Sequence, residues 1–412
     1  MQNKLKNYLK IFRYSKYIIL FNIIERLFSF IIFLSFARTY SVDLYGEIIT
    51  AFTFATIIIT LFDFGFPILL QREISISGKD SSETFDYILY LNVLILFVYI
   101  ALILIFYWLF YSYISFKIVF FISIFVYIYS LINIFSASLS GINIFKKRFY
   151  YLLISRFLIL MLFFPLLVLL KVNLIYLFIL LSAGCVFQIY LMAIELKKYG
   201  LKFSIPVNFT KMINVLKLSI PLGLAVIFNF LYDKIDIVLI SKLTDFSQVA
   251  YYNVGYGIYK ASAIAFSFLL VSGFTRVSYL SRNKNAVKLF YRKYANILIV
   301  LSIILTIILF FGSGIIIKII YTEKYLNSVL VLKILSFAII GLSLNNLTGI
   351  ILNALALFKQ NMIVTLVGFV INIILNIVFI PLYGIIAAAV ISILTEYIIF
   401  AGDYYYLKIY LK

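Results

Sequence analysis

Twelve stretches of mainly apolar residues, at 17–38, 46–70, 85–111, 114–140, 149–170, 173–195, 218–241, 248–273, 295–318, 329–357, 361–381 and 384–405, follow one another along the chain. A helix needs about 20 such residues to cross the hydrocarbon of a bilayer. It also bonds its own backbone N–H and C=O groups, which lipid cannot do. Each stretch is therefore expected to be one membrane span. Of the 412 residues, 65% are hydrophobic and 12% charged, against about 45–50% apolar and 25% charged in soluble domains. A water-soluble globule is excluded, and no block is left for a separate soluble domain. The expected fold class is an all-α integral membrane protein.

The polar connections set the orientation. Lys and Arg number 35 against 15 Asp and Glu, a net charge of +20. In a soluble protein that excess would suggest nucleic acid, but here the basic residues lie mainly between the apolar stretches, where they orient helices. No nucleic-acid partner is expected. With the N-terminus inside, 25 basic residues are counted to the cytoplasmic side, Arg156 near the start of the fifth stretch among them, and seven to the outside, which places both termini in the cytoplasm. The basic N-terminal segment leads into an apolar stretch from Tyr17 that is too long for a signal-peptide core, so it reads as a retained first span. One cysteine, Cys185, excludes an intrachain disulfide or thiolate cluster, and the absence of His removes the commonest metal ligand. No cofactor is expected.

The longest connection, KKYGLKFSIPVNFTKMINVLK, carries five Lys and divides the chain into halves of six stretches. The expected organisation is an N-terminal six-helix lobe over 1–198, a basic cytoplasmic linker over 199–217 and a C-terminal six-helix lobe over 218–412. SFARTYSVDLYGEIITAF after the first stretch and ISKLTDFSQVAYYNVGYGI after the seventh share the order basic residue, Thr, Asp, Tyr about 206 positions apart. Two halves of even span count in one orientation imply a parallel repeat with a central cavity between lobes, the architecture of a transporter.

Ionisable groups inside spans cost at least about 2.5–3.5 kcal/mol each and usually face protein or a watery cavity. The first span carries Glu25 and Arg26 about 12 Å deep at 1.5 Å per residue, with Asn22 and Ser29 within a turn. Adjacent residues point about 100° apart, so this pair does not satisfy itself and is expected to line a cavity. Asp63, in TLFDFGFPILLQRE, is either a helix-end acid reaching the interface or a functional group. In the seventh span NFLYDKID places Asn229, Asp233 and Asp236 on one stripe, with Lys234 turned a quarter-circle away. Two acids on one face call for a cation: a protein group such as Arg26, a proton or a sodium ion. Asn253, Tyr256 and Lys260 share a face of the eighth span, with either an anion or the acids of the seventh as the partner of Lys260. Asn345, Asn346, Thr348, Asn353, Asn372 and Asn376 read as interhelical hydrogen-bonding groups. Glu396 is either a coupling-ion group or a side chain reaching the cytoplasmic interface. Pro165 is expected to kink the fifth span, and Pro221 to sit in the first turn of the seventh. No Walker A pattern occurs, which leaves a proton or sodium gradient, or the cargo's own gradient, as energy source.

The order of FARTYSVDLYGEI, DFGFPILLQREIS, SIPLGLAVIFNFLYDKIDIVLIS, VAYYNVGYGIYK and IPLYGIIAAAVISILTEY, over essentially the whole chain, resembles bacterial polysaccharide flippases of the Wzx type. These belong to the multidrug/oligosaccharidyl-lipid/polysaccharide exporter superfamily. The resemblance implies transfer of undecaprenyl-pyrophosphate-linked oligosaccharide repeat units from the cytoplasmic to the outer leaflet of the bacterial cytoplasmic membrane, for surface polysaccharides such as O-antigen, lipopolysaccharide or capsule. Its implied partners are that lipid-linked oligosaccharide, membrane lipids, and the glycosyltransferases and polymerase of the same pathway. On this reading Arg26, Lys234 and Lys260, with Asn22, Asn253 and Tyr256, contact the pyrophosphate and cavity cargo. Glu25, Asp63, Asp233, Asp236 and Glu396 serve ion coupling, with sodium at Asp233 and Asp236 as one form of it. The alternatives are a cation-coupled drug or metabolite antiporter of the same superfamily, a lipid II flippase, although those resemble fourteen-span proteins and fourteen stretches do not fit this length, and a membrane polymerase or glycosyltransferase. The latter usually needs a large outside loop, and the outside connections here are short.

Overall fold

The computed structural model describes residues 2–77, 81–201, 204, 208–270 and 273–412. Among the described residues every regular element is helical. In chain order these are α1 (Gln2–Thr39), α2 (Val42–Leu61), α3 (Phe66–Ser77), α4 (Ser82–Phe106), α5 (Phe116–Gly141), α6 (Phe145–Phe164), α7 (Leu174–Lys198), α8 (Phe209–Leu243), α9 (Phe246–Leu270), α10 (Gly273–Leu280), α11 (Lys284–Tyr321), α12 (Ser328–Ser336), α13 (Ala338–Ala354) and α14 (Phe358–Leu411).

Among the described residues eight helical segments are long and apolar enough to cross a membrane, and α12 with α13, bent by 47°, makes a ninth when taken as one broken span. The 54-residue α14 is two spans. Pro381 lies inside it and Gly384 takes φ 58°, ψ −143°, a conformation open mainly to glycine. The arms over 358–383 and 385–411 each exceed the roughly 20 residues a span requires. The remaining two stretches are α8 and α9, of 35 and 25 residues, whose apolar character is diluted by Asp233, Lys234, Asp236 and Lys260. All twelve stretches thus correspond to helices.

Three stretches differ in detail from the sequence reading. The second is not continuous: α2 stops at Leu61, α3 starts at Phe66, and the turn between them holds Phe64 and Gly65 at φ 47° and 73°. Gly223 of α8 explains how the chain fits there, since a Cβ on it would lie 2.4 Å from the carbonyl carbon of Phe64. Pro165 does not kink the middle of α6 but opens a π-helical turn, Pro165–Leu169, at its end. Pro221 lies beyond the first turn, because α8 begins at Phe209 and runs through it. Neighbouring helices in a bundle can re-satisfy the backbone group that a proline frees.

The chain divides into two compact units, residues 1–35 with 51–227 and residues 36–50 with 228–412. The cut therefore falls within α8, and α8 takes up half of the stretch read as a linker. In the first unit Ser204 bonds to the Asp86 carboxylate and Lys211 pairs with Glu83 at 2.7 Å. At the ends of α6 and α7, Glu195 is buried and takes Lys147 at 2.7 Å, Tyr151 at 3.0 Å and Lys198 at 3.3 Å.

The second unit includes the tip of the α1–α2 hairpin, and the two segments matched as a repeat pack on each other there. Asp43 bonds to Ser247, and the Tyr45 hydroxyl accepts from Asn253 at 3.1 Å. Arg38 donates to the Ile320 carbonyl at 2.7 Å, satisfying the C-terminal end of α11. Gly46 makes the closest approach: a Cβ on it would sit 1.9 Å from the Phe246 carbonyl oxygen. Gly46→Ala forces backbone apart rather than a flexible side chain, so a loss of about 3 kcal/mol or more is expected, at the upper end of overpacking costs. The check is the thermal midpoint of the purified variant, and an unchanged midpoint would show that this contact is dispensable.

Candidate functional site

In the first unit, a cavity of about 280 Å³ opens beside the α2–α3 break. Asp63, Gln71, Asn133, Ser136, Ser140 and Arg148 supply its polar lining. Asp63 is placed there by the break itself, its carbonyl accepting from Phe66 N–H at 3.0 Å. Arg148 lies 4.0 Å over the Phe21 ring and donates to Ser136 and Ser140, each at 2.7 Å. Stacking and two hydroxyls fix the plane of a guanidinium that has five N–H groups to offer. A polar, cation-bearing cavity within spans is the arrangement expected where a polar or anionic group is handled.

Deeper in the same unit Glu25 meets Arg156 at 2.9 Å, and Tyr129 donates to the same carboxylate oxygen at 2.7 Å. The Arg156 side chain is 3% exposed and lies 4.6 Å over Phe28. The sequence reading placed Arg156 with the cytoplasmic charges; the structure places it inside the bundle, as the partner that Arg26 cannot be. Arg26 and Asn22 are exposed on α1, and Arg26 makes no ion pair among the described residues.

The second unit separates the two acids of α8. Asp233 pairs with Lys234 at 3.0 Å and Lys260 at 3.1 Å and accepts from the Tyr256 hydroxyl at 2.8 Å. Lys234 was expected to turn away, but its four-carbon stem bends the ammonium back to the neighbouring carboxylate. Lys260 also stands 3.8 Å from Glu396, which is buried and accepts from Asn345 at 3.1 Å. Lys260 is thus partnered by acids, and protein lysines rather than Arg26 offset Asp233. Glu396 is enclosed by protein, at 3% exposure. Two lysines and two carboxylates balance one another around Tyr256.

Asp236, at 4% exposure, has a different shell. Tyr252 donates at 2.7 Å, Ser392 at 3.0 Å and Asn376 at 2.9 Å, while Asn376 also donates to Asn372 at 3.0 Å. No described Lys or Arg lies within ion-pair distance of it. The Asn376 carbonyl oxygen is buried without a hydrogen-bond partner. A carboxylate ringed by neutral donors, with an amide oxygen left over beside it, offers hard oxygen ligands of the kind that suit a small cation. Asn372 and Asn376, read as interhelical hydrogen-bonding groups, supply such a bond here, since Asn376 reaches Asp236 on another helix, and with Ser392 they form this shell.

Among the described residues no group of three or more His, Cys, Asp or Glu is disposed to hold a metal ion. The model of a family described as "Polysaccharide biosynthesis protein" matches residues 12–279, and a second, MatE, matches 221–378. Among proteins with curated descriptions none matches significantly. Several solved structures share the fold. The lipid II flippase MurJ, in an inward closed conformation, has a TM-score of 0.73 at 18% identity, over 95% of this chain and 87% of its own. An inward-facing multidrug resistance MATE family transporter of the MOP superfamily has a TM-score of 0.71 at 12% identity, over 95% and 94%. The Vibrio cholerae MATE transporter VcmN, in its bent form, has 0.59 at 12%, over 100% and 98%.

Proposed function

Since the chain belongs to the polysaccharide biosynthesis protein family, we propose that it flips undecaprenyl-pyrophosphate-linked oligosaccharide repeat units across the bacterial cytoplasmic membrane, by alternating access of its two units, for surface polysaccharide assembly. The observation that carries this reading is the cavity beside Asp63, where a fixed guanidinium and a row of amides and hydroxyls stand among membrane spans. Sugar hydroxyls suit Asp63, Gln71 and Asn133, and a pyrophosphate suits Arg148, whose charge is never lost. The exposed Arg26 and nearby Asn22 supply further contacts on α1. Within the second unit, Lys234 and Lys260 engage a phosphate only by giving up Asp233 for it, which makes Asp233 a competitor that releases cargo. Asn253 and Tyr256 hold the second unit's tip and the Asp233 pair in place.

Ion coupling is assigned to Asp236, with Glu25, Asp63, Asp233 and Glu396 as charges that the cycle redistributes. A sodium ion there would take oxygens of Asp236, Asn376, Asn372 and Ser392 and would offset the one acid in that cluster lacking a cationic partner.

The competing reading is a drug or metabolite antiporter, favoured by the MatE match over 221–378. Ligand-induced thermal stabilisation of the purified protein separates the two. Polyprenyl-pyrophosphate oligosaccharide is expected to raise the midpoint, with at least a tenfold weaker effect in Arg148→Gln. Stabilisation by cationic drugs and none by the lipid-linked sugar would reverse the assignment.

A further inference from the structure

Asp403 takes no part in the sites above. It lies in the second arm of α14 with 0% exposure, and neither carboxyl oxygen has a hydrogen-bond partner among the described residues. From α13 it faces Gly349, where an added Cβ would stand 3.8 Å from Asp403 Oδ2. From the first arm of α14 comes Asn361, 3.7 Å from that same point, with its amide already turned to Asn353 at 3.1 Å. One residue earlier, Gly402 lets the two arms close to 2.8 Å between its would-be Cβ and Val364. From α11, Tyr291 stacks on the neighbouring Tyr404. No described Lys or Arg lies within ion-pair distance of Asp403.

A carboxylate shut off from water by packing and given neither donor nor cation carries a large desolvation cost, so the group neutralises. Asp236, with three donors, is differently placed: its shell suits an ionised group. We propose that Asp403 is a proton-binding site, occupied in this conformation and emptied only when α13 and the arms of α14 part near the C-terminal end. On emptying, the O–H bond breaks, its electron pair stays on the carboxylate and the proton passes to entering water. The protein then carries a proton site distinct from the cation centre at Asp236. This inference does not depend on the identity of the cargo.

The test is infrared spectroscopy of the purified full chain at neutral and mildly alkaline pH, following the stretch of protonated carboxyl groups. Asp403→Asn, which matches the neutral acid in shape, is expected to fold with an unchanged thermal midpoint and to lose one protonated-carboxyl band. Asp403→Glu is expected to keep a band at shifted frequency, and serves if the Asn variant folds poorly. Identical bands in wild type and both variants would overturn the proposal. So would a rise in midpoint on adding sodium or potassium that Asp403→Asn abolishes, since the site would then hold a metal ion.

Discussion

Arg156→Met should be among the most destabilising single changes in the protein, with an expected loss of about 3–5 kcal/mol, the range for removing one partner of a buried ion pair. The guanidinium is almost wholly inaccessible and is held by Glu25 at 2.9 Å, with Phe28 and Tyr129 against its faces. Without it the Tyr129 hydroxyl is the one hydrogen-bond partner left to Glu25 among the described residues. The variant should show a sharply lowered thermal midpoint by circular dichroism. Adding Glu25→Gln removes the orphaned charge and should recover most of the loss, because an uncharged pair of similar volume is often as stable as the ion pair. If the double variant is as unstable as the two single losses added, the pair acts through something other than mutual neutralisation.

Asp236→Asn should have the opposite profile, with folding intact and the response to sodium gone. Tyr252, Ser392 and Asn376 can all bond to an amide of the same shape. The variant lacks the negative charge that would retain a monovalent cation. In wild type, sodium at 100 times its dissociation constant is expected to add about 2.7 kcal/mol of stability by mass action. The Asn variant should show no shift under the same addition. Equal sodium stabilisation in both proteins would remove Asp236 as the ion site.

How the acids divide shows what could be read from the sequence. Helical periodicity put Asp233 and Asp236 on one stripe of α8, and they are there. Their separation into two shells depends on α9, which offers Tyr252 to Asp236 and, one and two turns on, Tyr256 and Lys260 to Asp233. Spacing within one helix carries no information about that neighbour. Arg156 was misplaced for a related reason. A basic residue one or two turns inside a span can belong to the cytoplasmic cluster or to the interior, and its partner Glu25 lies 131 residues away. Apolar length alone was enough to mark the twelve stretches as helical, since the bilayer imposes it. The α2–α3 break was not legible, because Phe64 holds a positive φ only where Gly223, distant in sequence, leaves room. Asp403 was missed because it sits two residues before the end assigned to the last stretch, where an acid reads as interfacial.

The central claim is most directly tested by reconstituting the protein in liposomes with undecaprenyl-pyrophosphate oligosaccharide and timing the exposure of inner-leaflet glycan to an external glycan-modifying enzyme. The account predicts acceleration over protein-free liposomes, slowed at least tenfold by Arg148→Gln. A folded wild-type protein that leaves the rate at the protein-free level, while moving a soluble cation against a sodium or proton gradient, would contradict it.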